Sequence, residues 1–152
     1  MVLLAVRCFG LLLLGLASGA SLCVVFIERG LGDSWPFYVT YKQLMIRTLT
    51  VPLPVIGLLG SVAVLVDCGA QWRDGVSTAF WLTSAAYIFS VAAAVVTKAG
   101  HFPLNAVIAR WDPAAPPSAW KSVQARWSAL HLARTAVAIL SSLLLIASNL
   151  AR

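Results

Sequence analysis

The sequence opens with the apolar run VLLAVRCFGLLLLGLASGASLCVVFI (residues 2–27), which only Arg7 interrupts. Three further runs of the same character follow at residues 49–66, 78–97 and 132–150. The hydrocarbon core of a bilayer is about 30 Å thick, so roughly 20 helical residues span it. Runs that are apolar on every face are typical of membrane spans rather than of helices with one side in water. We predict four transmembrane helices.

The composition excludes an ordinary water-soluble domain. Hydrophobic residues make up 61% of the 152 residues and charged residues only 11%, whereas about a quarter of the residues in soluble domains are charged. The four runs and their short loops predict a single all-α domain over residues 1–152. We expect an integral membrane, antiparallel four-helix bundle, with the lipid bilayer as its first partner.

The positive charge of the chain does not indicate a nucleic-acid partner. The net charge of +6 comes from eleven Lys and Arg against five Asp and Glu. These cations lie at the ends of the apolar runs, where lipid headgroups account for them, and no basic run is interleaved with aromatics. Most of them fall in the first and third loops, so the positive-inside rule places those loops in the cytoplasm.

The first run has an alternative interpretation, a cleaved secretory signal peptide. Arg7 supplies the positive start, and the stretch ASGA at residues 17–20 is small enough for cleavage. The apolar run continues through Ile27, however, which is longer than such a signal requires. We therefore expect a retained span.

The first loop is predicted to contain a short helix at the membrane surface. Ser34 can cap a helix and Pro36 suits its first turn. Apolar side chains then recur at helical spacing, at Phe37, Tyr41, Leu44 and Met45. Lys42 and Arg47 fall on other faces. This pattern predicts an amphipathic interfacial helix over residues 37–48.

The loop after the third span contains His101, Phe102, Pro103 and Asn105. A residue before proline disfavours the α region, so Phe102 is predicted to be extended. Irregular backbone at membrane depth must be buried in protein or line a cavity. Asn105 could satisfy the backbone groups freed there, or contact a ligand. His101 could be a base, a metal ligand or an imidazole at the interface.

The last helix is predicted to carry a polar and aromatic stripe. No Gly or Pro occurs in residues 119–152, which permits one helix of about thirty residues. Spacings of three and four place these residues on one face: Trp120, Gln124, Trp127, His131, Arg134 and Ala138. Ionisable residues inside a membrane normally face the bundle interior. We favour an inward site for His131 and Arg134, whereas for Trp120 and Arg126 interfacial anchoring is an equal alternative.

Metal and thiol chemistry are not indicated. Catalytic zinc and non-haem iron sites take three protein ligands, and beside the two histidines only Glu28 and the more distant Asp33 are candidate carboxylates. We predict no metal site. The three cysteines form no Cys-x-x-Cys pair, and we expect free thiols without a disulfide: Cys8, Cys23 and Cys68.

From about Gly100 to its end, the chain resembles the anthrone oxygenase-like family of small membrane proteins. Many bacterial members of that family are described only as a membrane domain of unknown function. The resemblance rests on Pro103-Leu104-Asn105, IARWDP at residues 108–113, Trp120, Arg126-Trp127 and His131-x-x-Arg134-Thr135. It implies four transmembrane helices and a setting in the inner membrane of a bacterium.

The resemblance also implies a chemistry. Fungal members are associated with oxygenation of anthrones to anthraquinones, in which a base removes an acidic carbon-bound proton and the carbanion reacts with dioxygen without metal or flavin. We accordingly expect no cofactor. His131 would be the base and Arg134 would stabilise the enolate oxygen. The expected substrate contacts are Asn105, Trp111, Trp127, His101 and Trp120, although His101 stands where many relatives have a small or amide residue.

Two hypotheses of function follow. The first is a membrane oxygenase, or related redox enzyme, that acts on a small apolar aromatic or quinone-like compound. The second is a non-enzymatic membrane protein that scaffolds a partner or binds a lipid. An enclosed cavity that reaches His131 and Arg134 favours the enzyme, whereas a solid apolar core with both side chains at the headgroups favours the scaffold.

Overall fold

The fold is a helical bundle, seen in a computed structural model that describes residues 1–30, 32 and 34–152. Among these residues there are no strands. The elements are α1 (Val2–Gly30), α2 (Trp35–Leu49), α3 (Pro52–Asp74), α4 (Thr78–Val96), a π-helical turn (Thr97–His101), α5 (Phe102–Ile108) and α6 (Trp120–Leu150). Asp33, considered above as a carboxylate, lies outside the described residues.

Four helical segments are long and apolar enough to cross a membrane. They are Val2–Gly30, Pro52–Asp74, Thr78–Ile108 and Trp120–Leu150. Their outer surfaces are large hydrophobic side chains, such as Leu12, Leu58, Ile88 and Leu143, each more than half exposed. Such a surface requires lipid around it. The predictions of an all-helical bundle with four spans and of a multi-pass membrane protein are therefore confirmed.

The four spans form a ring in the order α1, α3, α4 and α6, with neighbours antiparallel. The central contacts include the buried side chains Leu14, Val64, Ala86 and Leu145. Helices α1 and α3 approach closely at Gly60, where there is no room for a side chain. A Cβ atom at this position would lie only 2.9 Å from Cδ2 of Leu14. Small residues at such contacts are how membrane helices pack without a hydrophobic driving force.

A buried polar network ties the four spans together at the end that holds both chain termini. The carboxylate of Asp67 accepts hydrogen bonds from Nε of Arg7 at 2.7 Å and from Nη2 of Arg152 at 2.6 Å. Gln71 Nε2 donates to Asp67 and also to Oγ1 of Thr83, both at 3.0 Å. Side chains from α1, α3, α4 and the segment after α6 therefore bond to one another around the buried carboxylate of Asp67.

The prediction of an extended Phe102 is wrong. Phe102 has φ −59° and ψ −47°, and the chain stays helical from Thr78 through Ile108. The turn Thr97–His101 is π-helical, and the amide of Phe102 bonds to the carbonyl of Thr97. The wider turn accommodates Pro103, which lacks the amide donor of a regular helix.

Helix α2 is present where the interfacial helix was predicted, and a second face of it packs on the bundle. It begins at Trp35, and its buried residues are Trp35, Tyr38, Val39 and Lys42. Phe37 and Leu44 point outward and are about 60% exposed. Lys42 therefore lies on a different face from Phe37 and Leu44, as predicted, and that face is the one through which the helix packs on the bundle.

Candidate functional site

Two adjoining cavities lie inside the bundle. The smaller one is at the end covered by α2, and the larger one is in the middle. The smaller, of about 50 Å³, is lined by residues that include His101, Asn105, Trp127, His131 and Arg134. All five were singled out from the sequence, and the structure brings them together. The inward orientation of the stripe on α6 follows from its packing against α1 and α4.

The larger cavity, of about 510 Å³, has mostly apolar walls from α1, α3, α4 and α6. Arg134, Ser21 and Thr97 line both cavities, so Arg134 lies where they meet. Lining side chains such as Leu58 of α3 and Val95 of α4 are themselves more than half exposed. The cavity therefore opens between α3 and α4 toward the surface of the bundle that faces lipid.

His131 is almost fully buried and both of its ring nitrogens have partners. Its Nε2 lies 2.9 Å from the carbonyl oxygen of Ser21, which only accepts, so Nε2 carries the proton. Its Nδ1 lies 2.9 Å from Nη2 of Arg134, which only donates, so Nδ1 is the acceptor. The geometry fixes His131 as a neutral imidazole whose only lone pair is in use.

Arg134 is held by two hydrogen bonds and retains a free donor. Nη2 donates to His131, and Nη1 donates to Oγ1 of Thr97 at 3.3 Å. Its Nε is buried and has no partner. Within residues 1–30, 32 and 34–152, no carboxylate lies within ion-pair distance of this guanidinium. A buried guanidinium without a carboxylate partner is a group that can bind an oxyanion.

Trp127 is the centre of the site and has no free face. Its ring stacks on His131, with centroids 4.8 Å apart and planes at 23°, and Nζ of Lys42 lies 2.9 Å from its centroid. His101 meets it edge-on at 4.9 Å. Its Nε1 donates to Oδ1 of Asn105 at 2.8 Å. Trp127 thus positions the neighbouring side chains, and a flat substrate finds no exposed face on which to stack.

Lys42 and Glu28 form a buried ion pair behind Trp127, and sequence reasoning missed it. Lys42 has no exposed surface, and its Nζ donates to Oε1 of Glu28. Oε2 of Glu28 accepts from Oγ of Ser128 at 2.9 Å. Burial lowers the pKa of Lys42, and the charge of Arg134 lowers it further, whereas a carboxylate contact favours the charged form. The spacing of Lys42 from Trp35 and Tyr38, seven and four residues, was the available signal.

His101 is buried as deeply as His131, with 2% of its surface exposed. Its Nδ1 lies 3.4 Å from the carbonyl oxygen of Val96, and its Nε2 has no hydrogen-bond partner. The ring centroids of His101 and His131 are 5.9 Å apart. The π-helical turn that ends at His101 begins at Thr97, which holds Arg134, so one turn supplies two parts of the site.

Trp111 and Trp120 do not line either cavity. They cluster with Trp35 of α2, with ring centroids at 5.4 Å and 5.3 Å from it. Nε1 of Trp35 donates to the carbonyl of Pro113 at 2.9 Å, and Nε2 of Gln43 donates to that of Trp111 at 2.8 Å. This aromatic cluster fastens α2 and the segment before α6 over the site.

Potential metal ligands are not grouped anywhere in the part of the chain that the structure describes, where no three His, Cys, Asp or Glu side chains come together. The three cysteines are free thiols. The polar side chains that line the smaller cavity include two imidazoles, one guanidinium, one carboxamide and the hydroxyls of Ser21, Thr50 and Thr97.

Comparison with known proteins identifies one family. The anthrone oxygenase family model matches residues 37–144, more than half of the chain. The matched region begins in α2 and extends into the last turns of α6. No curated protein and no solved structure matches the chain. The extent of the family match shows that this protein belongs to the anthrone oxygenase family.

Proposed function

We propose that the protein is a membrane oxygenase that converts a small apolar aromatic ketone with an acidic CH₂ group into the corresponding quinone. The observation that carries the proposal is Arg134, a guanidinium with a free buried Nε donor and no carboxylate partner, at the meeting point of a polar and an apolar cavity. An aromatic ketone supplies an oxygen that becomes negative when its carbon acid is deprotonated. Arg134 stabilises that charge in a low-dielectric site.

The proposed reaction balances with dioxygen as the only oxidant. A base removes one proton from the CH₂ carbon, and the carbanion adds to dioxygen to give a peroxide anion, which takes this proton back to form a hydroperoxide. Loss of the second proton from the same carbon breaks the O–O bond and releases hydroxide, which is protonated to water. The sum is R₂CH₂ + O₂ → R₂C=O + H₂O. Dioxygen is reduced, the carbon is oxidised, and no resident cofactor is needed.

The size and lining of the larger cavity support a substrate of this class. Its volume of about 510 Å³ lies within the roughly 300–1,000 Å³ typical of small-molecule sites. Its walls are apolar, and its opening between α3 and α4 admits a compound dissolved in the bilayer. The cavity favours the enzyme over a scaffold, for which a solid core was the expectation. The inner membrane of a bacterium is the location that we propose.

The experiment uses the purified protein in lipid nanodiscs with anthrone, the unsubstituted tricyclic ketone, under air. We expect anthraquinone to form with one dioxygen consumed per quinone, above the rate with empty nanodiscs. Equilibrium dialysis of anthrone against the same particles measures binding separately. Absence of both turnover and binding would overturn the proposal, and binding without oxygen uptake would support the alternative of a small-molecule-binding membrane protein.

A further inference from the structure

We propose that His101, through its Nε2, is the proton acceptor of the site, and that His131 is a positioning residue that holds Arg134. This assignment rests on the proposed function and deepens it. It differs from the expectation from the sequence, which made His131 the base and left the role of His101 open.

The tautomer of His101 follows from its single hydrogen bond. A backbone carbonyl only accepts, so the contact between Nδ1 and the oxygen of Val96 places the proton on Nδ1. Nε2 then carries a lone pair. That nitrogen is buried and has no partner. Buried polar groups in folded proteins are nearly always satisfied, so an unpaired basic nitrogen requires an explanation. A substrate that brings its own proton to this nitrogen supplies one.

The same test excludes His131. Its Nε2 donates to Ser21 and its Nδ1 accepts from Arg134, so it can take a proton only if the guanidinium moves away. Such a movement would remove the cation from the developing oxyanion at the moment when the charge forms. The bond instead fixes the direction of Arg134, together with Thr97. A fixed guanidinium is already oriented toward the charge of the transition state.

The surroundings of His101 hold it in place without occupying its lone pair. Trp127 meets the imidazole edge-on, with planes at 88°, and His131 lies at 82° to it. The ring ends a π-helical turn, a distortion that is frequent at functional sites. His101 lines the smaller cavity, and Arg134 lines both cavities. A substrate in the larger cavity that places its oxygen at Arg134 and extends its CH₂ group into the smaller cavity therefore meets the oxyanion donor and the base at once.

The proton balance of the step is closed by His101 alone. Its Nε2 takes the first CH₂ proton, and the C–H electron pair is delocalised onto the ketone oxygen near Arg134. The imidazolium returns this proton to the peroxide. Nε2 then takes the second carbon-bound proton as the O–O bond breaks, and gives it to the departing hydroxide to form water. The imidazolium forms beside Arg134, Lys42 and Glu28, and the anionic substrate offsets its charge.

The test isolates proton removal from oxygen chemistry. Anthrone is incubated with the protein in D₂O buffer without oxygen, and loss of the CH₂ signal is followed by NMR. The matched variants are His101→Asn and His131→Asn, since Asn cannot act as a base in either position and preserves a polar amide. We expect His101→Asn to lose exchange by more than about a hundredfold, and His131→Asn to lose far less because its Oδ1 can still accept from Arg134.

Two further measurements separate a base from a structural residue. Added imidazole should restore exchange to His101→Gly and not to His131→Gly. His131→Ala should raise the KM for anthrone more than His131→Asn does, because only Asn keeps an acceptor for Arg134. The reverse order of the two Asn variants, with His131→Asn inactive and His101→Asn active, overturns the assignment.

The outcomes distinguish this assignment from the proposed function. If exchange depends on His101 but no anthraquinone forms in air, His101 is supported as the base and the oxygenase function is overturned. If the His101→Asn variant still forms anthraquinone, the oxygenase function is supported and the assignment of His101 as the base is overturned. A wild-type protein that neither exchanges nor binds anthrone overturns both.

Discussion

Nη2 of Arg134 lies 2.9 Å from Nδ1 of His131, one turn earlier on the same helix. This bond joins a cation to a neutral imidazole, and no described carboxylate shares the guanidinium. Positive charge is therefore held at the head of an apolar cavity without being neutralised. A ligand that becomes anionic during reaction gains more from such a site than one that stays neutral.

Replacement of Arg134 by Lys should lower kcat/KM for anthrone oxidation by about a hundredfold or more. The ammonium keeps the charge but loses the planar fork that contacts Thr97, His131 and the cavity at once. Oxygen uptake with purified variants in nanodiscs measures the effect. Arg126→Lys, on an exposed position of the same helix, is the matched control and should retain activity. Full activity of the Arg134→Lys variant would contradict the proposal that the Arg134 guanidinium stabilises the oxyanion.

Filling the larger cavity should block anthrone binding without unfolding the protein. Gly57 lines that cavity, and a Cβ atom there meets nothing within 4 Å. Gly57→Phe should abolish anthrone binding because its ring enters the cavity, while glycine replacement in a helix otherwise favours the folded state. Gly69 of the same helix also has open space but does not line the cavity. Normal anthrone binding by Gly57→Phe, or equal loss in Gly69→Phe, would contradict the location of the substrate.

The buried pair of Lys42 and Glu28 should be strongly coupled in stability. Lys42→Met leaves the Glu28 carboxylate buried without its cation, and Glu28→Gln leaves the ammonium without its anion, each at a cost of about 3–5 kcal/mol. The double variant removes both charges, so its loss of stability should be much smaller than the sum of the losses in the two single variants. Thermal unfolding in detergent of all four proteins gives the coupling energy. Additive effects would show that the two side chains do not stabilise each other.

Asp67→Asn should destabilise the bundle at the end remote from the site. The guanidinium groups of Arg7 and Arg152 lose the carboxylate with which both are paired. We expect the free energy of unfolding to fall by about 3 kcal/mol. This value is toward the lower end for buried ion pairs because both Arg side chains are 20% exposed. Asp74→Asn, exposed on the same helix, is the control. Melting temperatures in detergent compare the two. An unchanged melting temperature for Asp67→Asn would leave the polar network without a stabilising role.

The parts of the fold that depend on local pattern could be predicted from the sequence. Apolar run length gave four spans, and helical spacing placed Trp127, His131 and Arg134 on one inward face. The backbone at Phe102 could not be predicted in this way, because the preference of a residue before proline is weak against the need to keep a membrane helix hydrogen-bonded. The π-helical turn meets both demands.

Contacts between distant segments explain the remaining differences. Lys42 is inside because Glu28 and the face of Trp127 receive its ammonium, and the pattern within α2 contains neither partner. The state of His101 depends on one carbonyl, that of Val96, and on the lack of a partner at Nε2. The sequence shows that a histidine is present, but the tautomer depends on its hydrogen-bond partners, which only the structure shows.

For the proposed oxygenase, the opening between α3 and α4 decides how substrate concentration has to be expressed. An apolar compound and dioxygen both dissolve in the hydrocarbon phase, so each reaches the cavity from a two-dimensional reservoir rather than from water. The relevant KM is then a mole fraction in lipid. Added vesicles at fixed total substrate should slow turnover by surface dilution, and assays that report only molar concentration would mistake membrane partitioning for affinity.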